Sequence, residues 1–150
     1  MKRVIALIAV IAALLIMNPF AAQAAETDRM VIHYEDGSYL VIENEVSNTR
    51  ITTKVGSKTA EYYSANDEIQ WKMTVTGEFL YDGNTCTCTY ASGTTTIYAT
   101  SLWGKNSDSA SYSGNSGTYT VVFNRKFMGI TTNTVTQVLT ITCDENGNIS

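Results

Sequence analysis

The sequence predicts an all-β fold, an antiparallel β-sandwich with a small β-barrel as the alternative, and three observations carry that prediction. From Ala25 onward the chain holds 22 Thr, all nine Tyr and both Trp, β-branched and aromatic types that fit a half-buried pleated surface. Its one proline, Pro19, lies before that region, so no later residue lacks a backbone donor for a ladder. Apolar and polar residues alternate at period two in several stretches after Ala25, and no sustained 3.6-residue pattern follows.

The first 24 residues stand apart from this. Lys2 and Arg3 precede an unbroken apolar run from Val4 to Met17, Asn18-Pro19 breaks it, and Ala22-Gln23-Ala24 supplies the small-x-small pattern of a signal-peptidase site. The run is short of the roughly 20 residues a spanning helix takes. The expectation is a cleaved signal helix over 1–24, with the bond between Ala24 and Ala25 cut, and a single secreted domain over 25–150. No lipid-accepting Cys follows the cleavage site and no sorting pattern closes the chain, so no stable membrane anchor is expected after cleavage. Losing Lys2 and Arg3 leaves eight cations against fourteen acids, a net charge of −6. Nucleic acid and anionic lipid both reward a basic surface, so that balance argues against them as partners.

The strands follow in order. Residues 30–34 and 39–46 flank Glu35-Asp36-Gly37-Ser38, an Asp-Gly hairpin signal. Residues 48–55 and 59–64 flank Gly56-Ser57-Lys58, taken as a turn. Ile69, Trp71, Met73 and Val75 share one face of the next strand; Gly77 interrupts it as an expected bulge, and Phe79 and Tyr81 continue the face. Asp82-Gly83-Asn84 is a second hairpin turn. Cys86, Cys88 and Tyr90 then share a face, Ser92-Gly93 is expected to turn the chain, and residues 94–102 form another strand. Residues 104–117 are rich in Ser, Gly and Asn, and three readings fit: a functional loop, a disordered one, or a polar edge strand over 109–113. Tyr119, Val121 and Phe123 alternate, as do Val135, Leu139, Ile141 and Cys143.

Export would place the three cysteines, Cys86, Cys88 and Cys143, in an oxidising compartment, where a disulfide is the first expectation. Cys86 and Cys88 are too close along one strand to bond without strain, so either of them with Cys143 is the candidate pair. Three buried thiols are the plainer reading. Cys-x-Cys, a distant Cys and the lone His33 make a poor zinc set, and neither a metal nor another cofactor is expected.

The pattern offers little catalytic chemistry. His33 sits on an early strand with no Gly-x-Ser-x-Gly elbow to serve, and no Cys-His signature surrounds the cysteines. Glu43, Glu45, Glu61, Glu68 and Glu78 are carboxylates that a glycan hydrolase would need in pairs across a cleft, although solvent-face charges that keep sheets soluble explain them as well. Asp144, Asn146 and Asn148 mimic the opening of a calcium loop, but the chain lacks its closing Glu, and Asn146-Gly147 reads as a turn. Trp71 belongs to the core by its alternation. Trp103, beside the polar stretch, is the candidate exposed aromatic for a ligand, with Tyr98, Tyr112 and Tyr119 as companions.

Several stretches also carry a resemblance. The stretch from Tyr34 to Tyr39, that from Trp71 to Gly83, Gly114-Asn115, and that from Leu139 to Ser150 together resemble an uncharacterised family of small secreted proteins from Gram-positive, often gut-dwelling, bacteria. The resemblance brings no catalytic residues. It implies a disulfide between Cys88 and Cys143, with Cys86 as the departure, and a natural chain end at Ser150. The function expected is non-enzymatic binding of an extracellular ligand or protein, or surface association. Carbohydrate binding through the exposed aromatics is the alternative, and two-acid glycan hydrolysis comes third.

Overall fold

The computed structural model describes residues 28–48 and 53–150; the expected signal peptide, with its cleavage between Ala24 and Ala25, lies outside them. The described chain is all-β, built of β1 (Asp28–His33), β2 (Tyr39–Asn48), β3 (Thr53–Tyr63), β4 (Ile69–Tyr81), β5 (Cys86–Ile97), β6 (Trp103–Ser113), β7 (Ser116–Phe127) and β8 (Ile130–Thr142). Strands β1 to β5 form one antiparallel meander and β6 to β8 a second. Both sheets are open, and they pack face to face as a sandwich rather than closing into a barrel.

Period-two alternation builds the core between the sheets. Trp71, Met73, Val75 and Phe79 of β4 meet Tyr119, Val121 and Phe123 of β7 with Leu139 and Ile141 of β8, all buried. The outward faces carry the threonines, and Ser57–Thr76, Thr59–Thr74 and Thr118–Thr140 are cross-strand hydroxyl pairs at 2.9–3.2 Å. Such pairs stabilise adjacent strands, which accounts for a threonine-rich chain without a threonine-rich site.

Turn chemistry held where Asp or Asn precedes Gly: Gly37, Gly83 and Gly147 have left-handed φ of 81°, 100° and 78°. Two other turn expectations are corrected. Gly56 lies inside the continuous strand β3, where Ile149 and Ile141 lie against the space its Cβ would fill. Gly93 lies inside β5, beneath the ring of Tyr119. Strand β4 also runs unbroken through Gly77; the bulge falls beside it, where Glu78 and Phe79 pair with Tyr90 and Cys88 and leave Thr89 extra on β5. Of the three readings for 104–117 the edge strand is the observed one, longer than expected, as β6 and the start of β7 joined at Gly114-Asn115.

The disulfide joins Cys86 to Cys143, and Cys88 is a buried free thiol. This corrects the Cys88–Cys143 pairing that the resemblance implied, and the alternative pair stands. The bond ties the start of β5 in one sheet to the residue after β8 in the other. Beyond it, Asp144 Oδ1 accepts the N–H groups of Asn146 (2.9 Å) and Asn148 (2.8 Å), closing a turn that returns Ile149 to a bridge with Cys143.

Candidate functional site

In two up-and-down meanders alternate connections fall at the same end. The turns β1–β2 and β3–β4, the β5–β6 link and the β7–β8 hairpin therefore share one end of the sandwich. There a cleft of about 190 Å³ is lined by Asp36, Ser38, Tyr62, Ser64, Ala65, Gln70, Leu102, Trp103 and Arg125.

Each wall has a local cause. Gly37 turns the chain so that Asp36 Oδ1 accepts both the N–H (3.0 Å) and the hydroxyl of Ser38. Those bonds, helped by the Arg125 guanidinium, hold the Asp36 carboxyl below the usual carboxylate range. Ser64 Oγ accepts the N–H groups of Asn66 and Glu68, both at 3.3 Å, and so shapes the β3–β4 turn. Gln70 is a bulge residue: Tyr62 pairs with Trp71 and Tyr63 with Ile69, leaving Gln70 without a ladder partner. Bulges re-aim side chains, and this one buries Gln70 at the cleft, where its Nε2 donates to Glu68 O at 3.0 Å. Its own carbonyl accepts the N–H groups of Tyr98 and Ala99 (3.0 and 3.1 Å), fixing the start of the β5–β6 link.

The floor is aromatic. Tyr62, Trp71 and Phe123 stack with centroids 5.3 and 4.4 Å apart, and Trp103 sets its ring edge-on to all three. Arg125 lies over the Trp103 ring, 5.7 Å from its centroid, a cation–π distance. The cleft thus places one anion and one cation around two aromatic rings, with hydroxyl and amide groups between them. That arrangement suits a small, uncharged, hydroxyl-rich ligand with one apolar face.

The structure separates the aromatics that the sequence grouped. Trp103, only 6% exposed, is a core residue whose ring lines the cleft; it is not an open platform. Tyr119, 2% exposed, is core as well. Its hydroxyl donates to Asp108 Oδ2 at 2.6 Å and pairs with Thr95 Oγ1 at 2.9 Å, tying β7 to β6 and β5. Tyr98 and Tyr112 are exposed, but Tyr98 follows β5 at the cleft end while Tyr112 sits near the far end of β6, so they share no surface. Sequence reasoning did not pick out Asp36, Ser38, Ser64, Gln70 or Arg125. A meander of antiparallel strands with Asp36-Gly37 at one turn was the signal that could have gathered the first three at one end.

Searches for similar proteins returned no matching family model, no matching curated protein and no matching solved structure.

Proposed function

We propose that this chain is an exported, non-enzymatic binding protein that takes a glycan end or a similar small polyol in the cleft beside Arg125. The single observation that carries this is the charge pair Asp36 and Arg125 set around the aromatic floor of Tyr62 and Trp103. Ligand pockets for drug-sized molecules run to about 300–1,000 Å³; at about 190 Å³ this cleft has room for a single ring-sized unit. Asp36 is the one carboxylate among the lining residues, which favours binding over hydrolysis by two acids. Export is supported by the leader pattern of residues 1–24 and by the Cys86–Cys143 bond, which suits an oxidising compartment. Among the described residues no helix is long and apolar enough to cross a membrane.

The test is a glycan array followed by calorimetric titration of any ligand retained. Arg125 is exposed at the cleft rim, so Arg125→Ala leaves the thermal midpoint within a few degrees. It is expected to weaken binding at least about tenfold, the cost of one lost charge-assisted contact. Absence of any retained glycan, or titrations unchanged in Arg125→Ala, would overturn the reading.

A further inference from the structure

The same end of the molecule carries a second feature, which shares Leu102 and Arg125 with the cleft rim and extends beyond it. Arg125 is the last β7 residue with a partner in β6, namely Trp103. Past that point β7 and β8 continue as a two-stranded finger, closed by Met128-Gly129 and pairing Phe127 with Ile130. Its side chains are apolar and open: Phe127 is 67% exposed, Met128 86% and Ile130 71%, with Leu102 beside them at 48%. Leu102 belongs to the same group because its carbonyl accepts the Lys126 N–H at 2.7 Å.

Two observations indicate that the apolar tip serves contact with something outside the fold. The turn needs left-handed backbone at both central residues, and Met128 adopts φ 51° beside Gly129 at φ 80°. Asn or Asp is the ordinary residue in the first of those positions, being short, polar and tolerant of that region. A long thioether there accepts backbone strain and gains no burial within the fold. The second observation is charge. The chain has fourteen acids, yet none falls between Ser109 and Cys143, and the only ionised side chains in that stretch are Arg125 and Lys126 at the finger's base. Asp36, the acid that lines the cleft with Arg125, lies in the β1–β2 turn of the other sheet.

We propose that the β7–β8 finger docks on a phospholipid bilayer, with Phe127, Met128, Ile130 and Leu102 entering the interfacial region and Arg125 and Lys126 meeting lipid phosphates. A narrow convex tip offers a protein partner little flat area, whereas a bilayer closes around it; apolar tips with cations at their base are what an interface retains. The contact is peripheral and reversible, unlike an anchor. The net negative charge of the rest of the chain turns the body away from anionic headgroups and leaves this end facing them.

The experiment is vesicle flotation of the protein beginning at Ala25, which retains every described strand. Phosphatidylcholine vesicles are compared with vesicles that also contain phosphatidylglycerol, and sedimentation equilibrium is run without lipid. The unaltered protein is expected to float with both, more strongly with the anionic lipid at low salt. The double variant Phe127→Ser/Met128→Ser should float at least about tenfold less, with its thermal midpoint held within a few degrees because both side chains are exposed. Leu80→Ser, an exposed apolar residue on β4 near the opposite end, should float like the unaltered protein. No flotation at millimolar lipid, or flotation indifferent to the double variant, overturns the proposal. So does a self-association removed by the double variant without flotation, which would assign the tip to a second copy of the chain.

Discussion

The side chain that Gly93 lacks is the space that Tyr119 fills. A Cβ at Gly93 would lie 2.1 Å from the Tyr119 ring, inside any van der Waals contact. The ring cannot swing clear, because its hydroxyl is held by Thr95 and Asp108 on two different strands. Gly93→Ala should therefore destabilise the fold by about 3 kcal/mol, the upper range for overpacking. Tyr119→Phe keeps the ring, loses only its hydrogen bonds, and should cost about 1 kcal/mol. Urea unfolding measures both, and a Gly93→Ala variant as stable as the parent would refute the close approach. The same residue shows where sequence reasoning runs out. Ser-Gly is a fair turn signal, and nothing near Gly93 indicates that a ring from β7 will occupy its missing side chain. Trp71, by contrast, was legible as core from its own alternation. Trp103 misled for the reason Gly93 did: the stretch that follows it in sequence is polar, but Tyr62, Trp71, Phe123 and Arg125 cover it in space.

At the scale of elements, the strands that were legible are those with one buried face. β4 and β7 alternate because every second residue meets the other sheet, and their buried faces were legible, although the interruption expected at Gly77 falls on β5 at Thr89 instead. β6 has no such signature: from Lys105 to Ser113 it is exposed, an edge strand of Ser, Asn and Ala whose ladder partner is visible only in three dimensions. The cysteines pose the same problem, since Cys86 and Cys88 point to one face and local pattern cannot say which reaches Cys143. The observed bond closes a sequence separation of 57, which in the chain-entropy account adds about 4 kcal/mol by restricting the unfolded state. Cys86→Ala and Cys143→Ala should each lose about that much in urea unfolding. Cys88→Ala removes a buried thiol that acts as a small hydrophobe and should cost under about 1.5 kcal/mol. If Cys88→Ala were the costly variant and Cys86→Ala the mild one, the pairing would be Cys88–Cys143 after all. Thiol labelling offers an independent check: Cys88 should react only after unfolding, because it is buried and burial pushes its thiol above the ordinary value.

Across the whole molecule, the ionisable groups set a stability plateau with two shoulders. Hydrogen bonds from Ser38 hold Asp36 below the usual carboxylate range, and Asn84 with Thr85 does the same for Asp82. Tyr119 with Lys105 lowers Asp108, and Asn148 with Asn146 lowers Asp144. Burial raises Glu61, but the bonds from Tyr63 and Lys72 outweigh it and leave its carboxyl low. A carboxyl lowered in the folded state gives stability that is present above its unfolded value, near pH 4, and lost as pH falls through the folded value. The acid shoulder therefore begins below about pH 4.5 and deepens as each carboxylate protonates. On the alkaline side the sign reverses. The bond that Tyr63 donates to Glu61, with burial, pushes the phenol up to about 12; burial and Asp108 raise Tyr119. A raised group gives stability that is present below its unfolded value, about 10 for tyrosine, and lost as pH climbs through the folded one. Thermal midpoints should accordingly stay level from about pH 5 to about pH 9 and fall on both sides. Glu61 takes part in both shoulders, which makes it the sharpest probe. In the unaltered protein an ultraviolet titration should show a late tyrosine ionising near pH 12. Glu61→Gln removes the charge that raises Tyr63 and leaves a neutral amide, so that phenol should ionise at a clearly lower pH than in the unaltered protein. The same variant should show a weaker acid shoulder, because one lowered carboxyl is gone. A late tyrosine unmoved in Glu61→Gln would mean that burial, rather than the Glu61 carboxylate, sets the alkaline limit.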